Sequence, residues 1–308
     1  MASADPAVDG IAAGVRAGER LAVARALNLV EDRRESSRER VEALLAALGD
    51  GRADSVRVGF TGPPGVGKST LVAAVIRALR ARGKRVGVVA VDPSSRRTGG
   101  ALLGDRARID TDPGDEGVFV RSLATRGELG GLARAAPAEA IVLSAAFDWV
   151  LVETVGVGQS ETDVEHVVDT VVFVVQPGSG DALQFLKAGI MEIPDVLAVN
   201  KSDLGDAAKR AGADLASALS AARAVGISGV WDPPVVLTSA ARRDGIDELI
   251  ETIERHRAHL VATSELRARR VRGRVEWLVR EYVRRHGEIA VAAEGGEAVL
   301  RARIESSL

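Results

Sequence analysis

The chain contains no cysteine. That excludes disulfides, thiolate metal sites and cysteine nucleophiles, and it fits a reducing compartment. It also lacks any run of about 18 apolar residues, so no membrane span is expected. The opening stretch, MASADPAVDG, has neither a basic nor an apolar region; no secretory signal is expected, and a cytoplasmic location is the default. Nor is there an excess of basic charge. The formal net charge is −2, so neither a nucleic-acid nor a membrane partner is expected. Lysine is scarce: only five of the 41 basic residues are Lys68, Lys84, Lys187, Lys201 and Lys209. Arginine serves the general surface, and a lysine marks a place where a compact ammonium is wanted.

What is present reads as ordinary globular protein, 46% hydrophobic and 27% charged over 308 residues, enough for one large domain or two smaller ones. Residues 15–48 read as helix, with Leu27, Val30, Val41, Leu44, Leu45 and Leu48 at helical spacings and Asp50-Gly51 as the stop. Short Val-rich runs follow at 56–61, 85–91, 117–122, 149–154, 171–176, 196–200 and 234–239. They hardly alternate, as strands buried on both faces do not. Helix-compatible stretches at 68–82, 129–146, 180–190, 205–225 and 245–262 lie between them. The order predicts an α/β fold, a mainly parallel doubly wound sheet flanked by helices, with helical extensions at both ends. The expected divisions are a helical arm over 1–50, the sheet domain over 51–262 and a helical arm over 263–308. In the last, Val271, Val275, Leu278 and Tyr282 form one apolar stripe, which either packs on its own domain or holds a second copy of the chain in a homodimer.

Three motifs carry chemistry. Gly62-Pro63-Pro64-Gly65-Val66-Gly67-Lys68-Ser69 fits G-x-x-x-x-G-K-[ST], placed between a strand and a helix as the phosphate-binding loop requires, and Thr70 follows in the first helical turn. Its glycines let successive N–H groups turn toward an anion, and the helix adds its positive end. Lys68 can reach the β- and γ-phosphates, and the Ser69 hydroxyl can bind Mg²⁺. Asn200-Lys201-Ser202-Asp203, directly after a strand, resembles the guanine-specificity motif of GTPases. A carboxylate at Asp203 accepts from guanine N1–H and N2–H₂, a donor pair adenine does not offer. Lys201 can lay its stem along the base, and Asn200 can brace neighbouring loops. Ser239-Ala240, again after a strand, is similar to the last GTPase motif, whose backbone meets the guanine O6. Glu153-Thr154-Val155-Gly156 stands where small GTPases carry D-x-x-G: the acid near Mg²⁺, the Gly156 amide near the γ-phosphate. The glutamate's longer arm suits a water-mediated metal contact.

The segments VAVDPSS (89–95), GGALLGDRARI (99–109), LATRGELGGLA (123–133), LVETVGVGQSE (151–161) and QPGSGDALQ (176–184) together resemble the MeaB/ArgK family, bacterial counterparts of the human MMAA protein. The resemblance runs over roughly residues 20–285. It implies a dimeric, Mg²⁺-dependent GTPase that acts as chaperone for adenosylcobalamin-dependent methylmalonyl-CoA mutase or a related B12-dependent acyl-CoA mutase, gating cofactor delivery and protecting the mutase, with GTP or GDP as the bound nucleotide. It implies that Asp92 positions the attacking water or the metal; from its place at a strand end, Asp92 also faces the ligand crevice, or else caps an Asx turn with Pro93. Asp105 becomes the acid of a mobile switch. Residues 177–181 look like a further switch that relays nucleotide state to the mutase, or else a strand-to-helix turn capped by Ser179 or Asp181. Gln159 lies three residues beyond Gly156, off the usual place of a water-positioning glutamine. Neither Arg108 nor Arg126 can be assigned as an arginine finger, so slow hydrolysis accelerated by a partner is expected. Two other classes compete: a metal-insertion GTPase, for which His256 and His259 offer helical spacing although a solvated helix accounts for them, and a small-molecule or protein kinase.

Overall fold

The computed structural model describes residues 5–92, 109, 111–112, 114–124, 133–154, 163–178, 194–224 and 230–308; of Asp92, Ala124 and Ala222 only the backbone is described. Helices α1 (Pro6–Arg16), α2 (Arg20–Val30) and α3 (Arg38–Leu48) come first. Then follow β1 (Val56–Thr61), α4 (Lys68–Ala81), β2 (Val86–Asp92), β3 (Val118–Ala124), α5 (Ala136–Ala146), β4 (Trp149–Glu153), β5 (Thr170–Val175), β6 (Val196–Val199), α6 (Asp206–Ala224), β7 (Val235–Leu237), α7 (Ile246–Ala262), α8 (Glu265–Ala293) and α9 (Glu297–Ser306).

The seven strands form one parallel sheet in the order β3-β2-β4-β1-β5-β6-β7. All seven lie within about a residue or two of the expected runs, because side chains covered on both faces leave an unbroken apolar signature. The chain leaves β1 toward β2 on one side, while β5, β6 and β7 build the other. The crevice at the C-terminal end of β1 is therefore the place where such a sheet takes ligands. Register sets the site: Phe60 of β1 lies beside Glu153 of β4, and Thr61 beside Phe173 of β5.

One face of the sheet carries α4 and α7; Leu71, Val75, Leu79, Leu249, Ile250 and Ile253 are fully buried there. On the other face α5, apolar all round, lies between the sheet and α1–α3. The stretch 15–48 was expected as a single helix and is broken twice. Gly18 adopts φ 73°, and its carbonyl accepts from the Arg85 guanidinium at 2.9 Å, a partner far away in sequence. At the second break Asp32 accepts from the Arg34 backbone N–H at 3.0 Å and from the Ser37 hydroxyl at 2.7 Å, side-chain bonds that replace helical ones.

Helix α8 is fastened along the segment that leads from β4 to β5. Arg280 pairs with Asp163 at 2.8 Å. Gly273 lies so close to the His166 carbonyl that a Cβ would stand 2.1 Å from its oxygen. Arg270 makes a two-pronged bond to buried Asp169, both contacts at 2.7 Å. Burial pushes the Asp169 carboxyl up, but these bonds outweigh it and hold the group below the ordinary carboxylate range. Of the expected stripe, Val275 is buried, and Val271 and Tyr282 pack with Val279, Val291 and Leu300. A turn at Gly287 (φ 76°, ψ 171°) and the glycines before α9 fold the chain back so that α9 supplies much of that cover. Leu278 lines a neighbouring cleft instead.

Candidate functional site

The loop after β1 is shaped by three glycines. Gly62 has φ 133° and Gly65 φ 80°, and Gly67, at φ 92°, opens α4 without a side-chain cap. A Cβ on Gly62 would stand 2.1 Å from the Val174 carbonyl oxygen, and one on Gly67 would stand 2.6 Å from the Asn200 amide nitrogen. Only glycine serves at such places. Val66 is buried and pins the loop to the core, while Pro63 is buried and Pro64 exposed. The first-turn amides of α4, those of Lys68, Ser69 and Thr70 among them, have no acceptor within the helix and give the loop its positive end. Lys68 is buried, and its ammonium donates to the carbonyls of Gly62 at 2.8 Å and Pro63 at 3.0 Å, spanning the cradle.

Ser69 and Glu153 meet directly: the hydroxyl donates to the carboxylate at 2.6 Å. Glu153 is buried at the end of β4, and Thr154 beside it bonds Thr61 at 3.0 Å. A hydroxyl and a buried carboxylate at the mouth of a phosphate loop are hard oxygen donors, the set that fits Mg²⁺.

The base end is tied to the phosphate end by two neighbouring residues. Asn200, buried, donates to the Val66 carbonyl at 2.9 Å and accepts from the Ala240 amide at 3.2 Å. Lys201, in the left-handed region at φ 61°, donates to the Gly65 carbonyl at 3.1 Å and to Gln176. Its ammonium thus holds the phosphate loop, a role additional to the expected stacking of its stem. Gln176 was not singled out as a site residue; its place just beyond β5, on the same sheet edge as Gly62, is the signal that could have found it. Asp203 is exposed. It accepts from the Ser239 hydroxyl at 2.6 Å, and that bond is the chief cause holding its carboxyl below the ordinary range. The Ser239 amide is itself engaged by the Asp244 carbonyl at 3.0 Å. The structure therefore gathers Gly62 to Thr70, Glu153, Asn200, Lys201, Asp203, Ser239 and Ala240 at one end of the sheet. Asp92 is placed by its backbone at the end of β2, on that same edge. Its side chain lies outside the described residues, as do Asp105, Gly156, Gln159, Arg108, Arg126, Ser179 and Asp181.

The histidine pair is not a solvated helix face throughout. His256 is 1% exposed; its Nδ1 lies 2.9 Å from the Thr170 hydroxyl, its Nε2 3.3 Å from Asp195, and its ring 4.9 Å from that of Trp231. Strands β5 and β6 bury it. No group of three or more metal-ligating residues occurs among the described residues. Burial lowers the His256 pKa to about 4 from the usual 6.5, against the pull of Asp195 and with a push from Arg269. Between those values the unfolded chain holds a proton that the folded one does not, so stability falls as pH falls from 6.5 to 4. Chemical denaturation across that window should show a loss of about 3 kcal/mol that is largely absent in His256→Gln.

Comparisons with known proteins agree with this geometry. Residues 23–293 match the family described as methylmalonyl-CoA mutase-associated GTPase MeaB. A probable GTPase of Mycobacterium tuberculosis is 44% identical over 284 residues, covering 91% of this chain and 84% of that one. The mitochondrial methylmalonic aciduria type A homolog of Mus musculus is 38% identical, over 91% of this chain and 71% of its own. The crystal structure of an LAO/AO transport system kinase superposes with a TM-score of 0.70 at 29% identity, covering 100% of this chain and 99% of that one. On the match over residues 23–293 and the identity to these relatives, the chain belongs to the MeaB family of methylmalonyl-CoA mutase-associated GTPases.

Proposed function

We propose that this chain binds GTP with Mg²⁺, hydrolyses it to GDP and phosphate, and uses the cycle to chaperone a B12-dependent acyl-CoA mutase. The observation that carries the reading is the convergence of Lys68, Ser69 and Glu153 within one cradle, with Asn200 tying that cradle to Asp203. Water attacks the γ-phosphorus in line; a new P–O bond forms, the β–γ bridging P–O bond breaks, and GDP leaves. The Lys68 ammonium and the α4 amides stabilise the charge that gathers on the phosphate oxygens. Ser69 and Glu153, with Asp92, would hold Mg²⁺, which would supply further charge neutralisation to the phosphates. Asp92 is assigned to the attacking water as well, Asp105 to a switch, and the Gly156 amide to sensing the γ-phosphate.

The mutase partner rests on the family and on the name of the mouse relative. Two copies of the chain pairing through the 263–308 segment, beside a 51–262 GTPase domain and a 1–50 helical segment, belong to the same proposal. Most of the α8 stripe is already covered by α9, so exposed Ile289, Val299 and Leu308 are the large apolar residues left for such pairing. No described helix is long and apolar enough to cross a membrane; a cytoplasmic location is part of the same proposal.

Two measurements test this. With GTP and ATP labelled at the γ-phosphate, the label should appear as free phosphate from GTP; preference for ATP, or label on an acceptor, would favour a kinase. The organism's mutase should co-purify with the chain, to different extents in GDP and in a non-hydrolysable GTP analogue. No co-purification in either state would remove the chaperone role and leave the GTPase assignment standing.

A further inference from the structure

At the opposite end of β1 from the phosphate loop, α8 closes over a small void of ≈ 20 Å³. Its wall includes Arg57, Arg269, Arg270, Arg274 and Trp277, with Asp50 as its one carboxylate. A space of this size admits one water or one monatomic ion. Three buried N–H groups on wall residues have no hydrogen-bond partner among the described residues: Nε of Arg57, Nε of Arg274 and Nε1 of Trp277. Leaving a buried donor unmet is costly.

The charges around the void do not balance. Arg270 is matched by Asp169 and Arg269 by Asp195, each through two contacts. Arg274 lies 3.4 Å from Asp50. Arg57, 5% exposed, has only neutral acceptors on its guanidinium, the Asp50 carbonyl and the Ser144 hydroxyl at 2.8 Å, and makes no ion pair among the described residues. Four guanidinium groups thus face three carboxylates. A water would accept two hydrogen bonds and leave the third donor unmet. A monatomic anion can accept from every donor that reaches it, and it supplies the missing charge.

We propose that this void is a binding site for a monovalent monatomic anion, chloride under ordinary conditions, held by Arg57, Arg274 and Trp277 and seating α8 on the core. Burial, reinforced by the Arg270 guanidinium, already lowers the Arg57 pKa to about 10, and a buried anion would relieve that strain.

Crystals of the full chain grown in 100 mM bromide should show, at the bromide edge, an anomalous peak within hydrogen-bond distance of the three nitrogens. In solution, chloride should raise the melting temperature by about 3 °C over gluconate at equal ionic strength, with saturation. Trp277→Phe, which removes one donor and keeps an aromatic ring, should at least halve that rise. An ordered water or no anomalous signal in the void overturns the proposal. So do equal melting temperatures in the two salts, which would mark any bromide peak as an adventitious ion only.

Discussion

Lys68→Met will lower kcat for GTP by about 10²–10³-fold, the loss that follows removal of one preorganised charge-stabilising donor. Lys68 is the group for which the chain keeps a compact ammonium inside an otherwise arginine-rich sequence. Its Nζ rests on the carbonyls of Gly62 and Pro63, held in the cradle before any phosphate arrives. A methionine keeps most of the stem and removes the charge, so the loss will fall on turnover more than on folding. Single-turnover phosphate release separates the two, with circular dichroism confirming an intact fold. Wild-type rates in a folded variant would remove Lys68 from the chemistry.

Asp203→Asn will weaken GTP binding by at least about 10²-fold and turn the preference toward xanthosine triphosphate. The carboxylate is an acceptor only, matched to two N–H donors of guanine, and each bond to a charged group contributes about 1.5–3 kcal/mol. An asparagine presents a donor on one side, which suits the 2-oxo group of xanthine and opposes the 2-amino group of guanine. Ser239 already orients the carboxylate at 2.6 Å, so the variant keeps its rotamer and changes its chemistry. Competition titration with GTP, ATP and xanthosine triphosphate reads the result. An unchanged order of preference would show that the base is read elsewhere.

The sheet and the two ends of the candidate site were legible in the sequence because each is written locally. A strand buried on both faces is a short Val-rich run, and a phosphate loop is a fixed spacing of glycines before a lysine. What escaped depends on partners that meet only in the fold. Nothing near Gly18 foretells Arg85, whose guanidinium takes its carbonyl and ends α1. His256 reads as a surface residue until Thr170 of β5 and Asp195, just before β6, arrive beside it. Lys201 could be expected to serve the base, yet its bonds to Gly65 and Gln176 need three loops assembled at one sheet edge. The same holds for the charge imbalance around Arg57, which no stretch of sequence displays.

Asn200 and Lys201 rivet the loop that takes phosphates to the loop that takes the base. On the proposed function, the span between them works as a fixed gauge for the length from purine to β-phosphate. GDP and GTP share that length, so the gauge alone cannot tell them apart. On that same function, discrimination then falls to groups beyond its jaws, Glu153 among them.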